Sequence, residues 1–239
     1  MKTIDNFLGG QLKIAQPKAG YRAGSDAVLL AAFLPEVKGH ILDVGCGVGT
    51  VSLCGAYRLK AASFTGIDCQ EEVITFAKGN AESNGLEGRV QFLAESLEKC
   101  SLKPGTFDHV VTNPPYFEDS APSPHEGRAL ARSEGEVSLE KWMKFCIKMA
   151  KPRGYISFIY PADSLSKVLK AIENLGEVVI IPLWPKAEEK ASRCLIRGRK
   201  DVKSKGVLSS GLVLHEADGS YTAVAKSILW DGVGIIPRV

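Results

Sequence analysis

Two short stretches of this 239-residue chain carry residue types arranged for chemistry. The first is Asp43-Val44-Gly45-Cys46-Gly47-Val48-Gly49-Thr50. Glycines at a strand-to-helix junction let the backbone turn sharply and approach a ligand closely, with the amides of the helix N-terminus aimed at it. Asp68 follows about one strand-helix-strand unit later, the spacing of an acid that accepts two hydrogen bonds from a ribose. The same glycines could make a plain tight turn, but together with Asp68 they predict a nucleoside-containing cofactor. The dinucleotide fingerprint would need glycine at position 50, where this chain has Thr50. Asp43 would repel a pyrophosphate and suits a cationic ligand end.

The second stretch is Thr112-Asn113-Pro114-Pro115-Tyr116-Phe117. Asn-Pro pairs often merely mark turns. Here the pair leaves the carboxyl end of an expected strand, on the same rim as the glycine loop, so that Asn113 faces the cofactor. A planar amino group is a poor nucleophile while its lone pair is delocalised into a base ring or an amide. The Asn113 side-chain oxygen and the Pro114 carbonyl can hold its two hydrogens, without a catalytic base or a metal. Pro115 stiffens the backbone, and Tyr116 can stack on an extruded base. Phe117 extends that platform or belongs to the core.

Alternating short apolar runs and helical patterns must position these residues. Strands are expected at Ile41 to Val44, Phe64 to Asp68, Val90 to Leu93, Phe107 to Val111, Tyr155 to Tyr160 and Glu177 to Pro182. Helices are expected at Gly49 to Leu59, Glu71 to Asn84, Ser138 to Met149 and Asp163 to Leu175. Arg193 to Arg199 and Gly211 to His215 read as later strands, and Tyr221 to Trp230 as a closing helix. Strands separated by helices predict right-handed crossovers and a mostly parallel, doubly wound α/β sheet, whose ligands lie at the carboxyl ends of its strands. Residues 1–38 form a lead-in: a hairpin around Gly9-Gly10, then a helix with Ser25 as its N-cap and Asp26 in its first turn.

Composition excludes several classes. The longest apolar run, Ala27 to Pro35, is far short of the roughly 20 residues of a membrane span. The N-terminus lacks the pattern of a secretory signal, so a cytoplasmic address is expected. The six cysteines are scattered, without C-x-x-C pairs or histidines at ligand spacing, which predicts reduced thiols and no metal site. A formal net charge of +3 does not identify a nucleic-acid binder. One segment is more telling: Arg193, Arg197, Arg199, Lys200, Lys203 and Lys205 stand against the single acid Asp201. It reads either as a phosphate contact or as a solvated edge strand and loop.

The D-x-G-x-G-x-G loop resembles motif I of class I S-adenosylmethionine-dependent methyltransferases, and Asn113-Pro114-Pro115-Tyr116 resembles the N-P-P-Y motif of their amino-methylating members. The resemblance implies a Rossmann-like, doubly wound, mostly parallel seven-stranded sheet over residues 39–239. It implies S-adenosylmethionine as cofactor, with Asp43 toward the methionine ammonium, Gly45, Gly47 and Gly49 beneath the cofactor, and Asp68 on the ribose. Glu95, where the family more often has aspartate, serves the adenine end, and Asn113 lies beside the methyl group. The segment Gly20 to Phe33 is similar to the one preceding motif I in bacterial tRNA(Val) adenine-N6 methyltransferases, which adds Arg22 and Ser25 as cofactor contacts. That family implies methylation of an adenosine beside the anticodon, with the basic segment on tRNA. By its composition the polar stretch Phe117 to Val137 reads either as a segment that closes over the substrate, with Arg128 and Arg132 on RNA phosphates, or as disordered chain. N5-methylation of a protein glutamine, N2-methylation of a guanosine in rRNA and a catalytically idle RNA-binding module are the alternatives. The missing Pro-Cys pair excludes cytosine C5 transfer.

Overall fold

The computed structural model describes residues 2–20, 22–116 and 137–237. The stretch 117–136, with Phe117, Arg128 and Arg132, lies outside the described residues, as does Tyr21.

The lead-in is a hairpin of β1 (Lys2–Phe7) and β2 (Leu12–Pro17), turned through Leu8–Gly10, followed by α1 (Ser25–Phe33). Then come β3 (Gly39–Val44), α2 (Thr50–Arg58), β4 (Ala62–Asp68), α3 (Glu71–Ser83), β5 (Val90–Ala94) and β6 (Phe107–Thr112). The second half holds α4 (Leu139–Met149), β7 (Ala150–Pro161), α5 (Leu165–Ala171), β8 (Leu175–Trp184), β9 (Arg193–Lys200), the two-residue strands β10 (Val207–Leu208) and β11 (Leu212–Val213), and α6 (Ala223–Asp231).

Seven long strands run in the order β8-β9-β7-β6-β3-β4-β5, and β10 and β11 add short parallel pairings to β8. The strands from β5 to β7 are all parallel, while β9 slots in antiparallel between β7 and β8. The expected doubly wound sheet is therefore present, with helices on both faces. On one face α1, α2, α3 and the hairpin share a buried cluster with Ile41, Val111, Ile159 and Leu195. On the other, α4 buries Leu139, Trp142, Met143, Cys146 and Met149 against Leu42, Val44, Val110 and Phe158. Among the described residues no helix is long and apolar enough to cross a membrane.

Several boundaries differ from the sequence-based expectation. The N-cap of α1 is Gly24 rather than Ser25, and no side chain caps that end. The expected helix from Asp163 is a 3-10 turn plus the two-turn α5, because β8 begins at Leu175 and extends to Trp184. The expected strand at 211–215 contracts to β11, followed by a single bridge from His215 to Tyr221. Thr222 caps α6 through its hydroxyl, so that helix starts later than expected.

α1 buries every residue from Ala27 to Phe33, and its C-terminal carbonyls would face apolar surroundings unpaired. Two arginines meet them: Arg58 donates to Ala31 O and Leu34 O, and Arg197 donates to Phe33 O at 3.2 Å while lying 4.8 Å from the Phe33 ring centre. Positive charge at a helix C-terminus also complements its dipole.

The outer edge of β2 is finished by side chains rather than by a strand. Asn80 Oδ1 accepts from Ala15 N at 2.8 Å and its Nδ2 donates to Ala15 O at 3.0 Å. Asn84, one helical turn on, makes the same pair with Lys13 N and O, both at 2.9 Å. Asn80 Nδ2 also reaches Val48 O at 3.0 Å, so this buried amide ties the hairpin to the glycine loop. Truncation in Asn80→Ala removes three bonds at once, and we expect it to cost about 2–3 kcal/mol. Urea unfolding of the two proteins checks this; a change under about 0.5 kcal/mol would mean that water takes over those bonds.

Candidate active site

Parallel register sets the level of the site. Val44 is the Cα partner of both Ile67 and Thr112, and Asp68 is the partner of Ala94. The residues that follow, Gly45 after β3, Asn113 after β6 and Glu95 after β5, therefore leave the sheet side by side with Asp68. Every one of these sequence-predicted residues comes to the same rim.

The glycine loop is held from below. Gly45 N and Cys46 N both donate to Ile67 O, at 2.8 and 3.0 Å, and Gly49 N closes a turn onto Cys46 O at 2.9 Å. Gly45, Gly47 and Gly49 have φ of 70°, 53° and 86°, the left-handed region that side chains disfavour. A Cβ on Gly49 would lie 2.4 Å from Phe92 Cζ, and one on Gly45 2.9 Å from Trp142 Cζ2. One on Gly47 would meet nothing within 4 Å. The outer two glycines thus serve packing, and Gly47 leaves bare backbone at the crest. Its amide donates to Asp68 Oδ2 at 3.1 Å, and Gln70 N donates to Asp68 Oδ1 at 3.0 Å.

Asp43 lies under the loop, 1% exposed, with Oδ2 accepting from Ser52 N at 3.2 Å and from Ser52 Oγ at 2.8 Å. Burial pushes its carboxyl up to about 7, against the pull of the Ser52 bonds and with a further push from Asp68. Burial also raises Asp68. Among the described residues neither acid has a cationic partner. Two adjacent, poorly solvated carboxylates beside bare glycine backbone make a site short of positive charge. S-adenosylmethionine, a cation with a ribose, fits that deficit. Asp68 would take the ribose hydroxyls and the Asp43 side the positive end.

Other candidates fall differently. Both carboxylate oxygens of Glu95 accept from Ser101, from its N at 2.7 Å and its Oγ at 2.5 Å, while Glu95 N donates to Asp68 O. Arg22 is ion-paired with Asp5 of the hairpin at 2.5 Å. Ser25 lines a groove of about 570 Å³ bounded by the hairpin turn, Tyr221 and Trp230, rather than the glycine loop.

Below Asn113, Thr112 Oγ1 donates to Val44 O at 2.7 Å and accepts from Trp142 Nε1 at 2.9 Å, a buried relay that locks α4 to the ends of β3 and β6. Pro114 is buried, and Pro115 and Tyr116 are half-buried. The Tyr116 hydroxyl lies 3.5 Å from Asp26 Oδ2. Sequence reasoning missed Ser52, Trp142 and the Asp26 contact. Only Ser52, nine residues after Asp43 and on the first turn of α2, carried a local signal.

Four members of the basic segment are half-buried and bonded within the fold. Arg193 donates to Asp26, Arg197 to Phe33 O, Arg199 to Arg153 O and Glu177, and Lys200 to Ala150 O. Lys203 and Lys205 are exposed in the segment after β9.

A family model for a methyltransferase domain matches residues 35–197. A tRNA1(Val) (adenine(37)-N6)-methyltransferase from Glaesserella parasuis is 33% identical over 76% of each chain. A protein of the same name from Porphyromonas gingivalis is 28% identical over 91% of each. Among solved structures, a predicted O-methyltransferase from Agrobacterium tumefaciens matches with a TM-score of 0.74 at 23% identity, covering 89% of this chain and 99% of the other. A tRNA (m1A58) methyltransferase from Aquifex aeolicus matches at 0.55 and 17% identity, covering 77% and 72%. These two structures share the fold.

Asp43 makes a pH-dependent contribution whose sign is fixed. Its folded-state pKa of about 7 exceeds the usual carboxylate value, so the folded chain binds the extra proton and loses stability as pH rises from about 4 to 7. Asp43→Asn keeps a Ser52 acceptor without the charge. We expect the ligand-free variant to gain in Tm on the wild type as pH rises through that window; a pH-independent difference would show that Asp43 does not titrate there. Gly49→Ala, strained and clashing with Phe92, should lower Tm by several degrees, as calorimetry would show.

Proposed function

The chain belongs to the methyltransferase domain family, and we propose that it transfers the methyl group of S-adenosylmethionine to the N6 amino group of an adenine in tRNA, by resemblance the one beside the anticodon of tRNA(Val). The observation that carries this reading is the exit of Asn113-Pro114-Pro115-Tyr116 from β6 directly beside the glycine loop, set by the pairing of Thr112 with Val44.

The bound cofactor supplies a methyl group made electrophilic by its sulfonium. This chain's residues supply orientation. The Asn113 side-chain oxygen and the Pro114 carbonyl accept the two hydrogens of the acceptor amino group, which turns its lone pair out of conjugation and toward the methyl. Buried Pro114 and the adjoining Pro115 keep that backbone from swinging, because their φ angles are locked. Tyr116 stacks on the extruded base, whose unstacking costs a few kcal/mol. Asp68 takes the cofactor's ribose hydroxyls, while Asp43, buried under the glycine loop, acts on it only through its charge. Lys203 and Lys205, exposed after the end of β9 that pairs with the starts of β7 and β8, lie away from the rim and in this reading could meet only tRNA phosphates remote from the acceptor base.

Asn113→Ala should lower kcat by roughly a hundredfold or more while leaving S-adenosylmethionine and tRNA affinity nearly unchanged. Labelled methyl transfer into unmodified tRNA, followed by nucleoside analysis, should give N6-methyladenosine. Label recovered as N2-methylguanosine, or on a release-factor glutamine, would overturn the acceptor.

A further inference from the structure

Arg193 sits by sequence in a run of cations, but the structure places it against the substrate-facing motif. Its guanidinium carbon is 5.1 Å from the Tyr116 ring centre, and its Nε donates to Asp26 Oδ2 at 3.2 Å. The Tyr116 hydroxyl lies 3.5 Å from that same oxygen, the outer limit of a hydrogen bond. Buried Tyr160 meets the Tyr116 ring nearly at right angles, with centres 5.9 Å apart. One carboxylate oxygen thus joins the first turn of α1, the N-P-P-Y segment and the start of β9.

This cluster is not what holds α1 in place. That helix is anchored by its buried residues from Ala27 to Phe33 and, at the other end, by Arg58 and Arg197. The Arg193 and Asp26 side chains are 31% and 27% exposed, where an ion pair adds little to stability. What the pair does restrict is the Tyr116 side chain, whose ring it meets from a different side than Tyr160 does. A flat guanidinium can lie over a ring while its N–H meets a carboxylate; a lysine ammonium lacks that planar fork.

We propose that Asp26 and Arg193 are positioning residues that hold the Tyr116 ring in the orientation in which it stacks on the acceptor base. The inference rests on reading Tyr116 as the stacking residue. It also separates Arg193 from the exposed Lys203 and Lys205 of the same run.

Two measurements test it, one of them independent of the acceptor. In ligand-free protein carrying ring-labelled tyrosine, the Tyr116 NMR signal is assigned by its loss in Tyr116→Phe. Arg193→Ala, Arg193→Lys and Asp26→Asn should each shift and broaden that signal while leaving the Tyr57 signal unchanged; an unmoved Tyr116 signal overturns the proposal. In methyl-transfer kinetics, Arg193→Ala should lower kcat/KM for tRNA roughly tenfold, with S-adenosylmethionine affinity within about twofold. The double variant Tyr116→Ala/Arg193→Ala should be no worse than Tyr116→Ala alone, because Arg193 acts through the ring. Additive losses overturn the proposal. So does a salt dependence of kcat/KM shallower by about one in logarithmic slope, the mark of a lost phosphate contact. Should the methyl group go to a different acceptor, the adenine reading fails while the NMR result and the same cycle on that acceptor still decide the role of Arg193.

Discussion

The pairing of β3 with β4 on one side and β6 on the other is the constraint from which the site follows. Because strands in parallel register end at a common level, Val44, Ile67 and Thr112 bring three separate loops to one rim without any loop having to reach. A one-residue slip of β6 would turn Thr112 out of its bond to Val44 O and move Asn113 to the other face of the sheet. The Trp142 bond to the same hydroxyl guards against that slip from the helical layer. Glycine at 45 and 49 then becomes a packing requirement, since Trp142 and Phe92 press on the loop from both sides.

Much of this was legible in the chain. The glycine spacing, Asp68 and the Asn-Pro-Pro-Tyr run are local signals, and alternation of strand and helix placed them on the same edge. What could not be read depends on distant partners. Asn80 and Asn84 look like ordinary polar positions of a helix, and only the fold shows them closing the open edge of β2. The length of β8 was underestimated because its continuation past Pro182 depends on pairing with Arg193 of β9 and with β11.

Charge was the least readable feature. A dense run of arginines is physically consistent with phosphate binding, yet on β9 the alternate residues Arg193, Leu195 and Arg197 share one face, and that face covers α1. The arginines reach the helix at its two ends, Arg193 through Asp26 and Arg197 through the carbonyl of Phe33. Planar, weakly hydrated guanidinium groups suit such half-buried positions. Of the three lysines, with strongly hydrated ammonium groups, Lys203 and Lys205 are left at the surface, while Lys200 donates to Ala150 O.

The antiparallel insertion of β9 also governs the order in which the molecule can be assembled. During synthesis from the N-terminus, β7 emerges well before β9, and β8 before its partner too, so both offer unpaired backbone edges until residues 193–200 have left the ribosome. The same late strand supplies Arg197, which meets the C-terminal end of α1 across a sequence separation of 164 residues. Closing contacts that distant is slow and leaves a nascent chain open to edge-to-edge association. The first helix to be made is therefore among the last to be secured, and a ribosome stalled between β8 and β9 would carry a chain poised to aggregate.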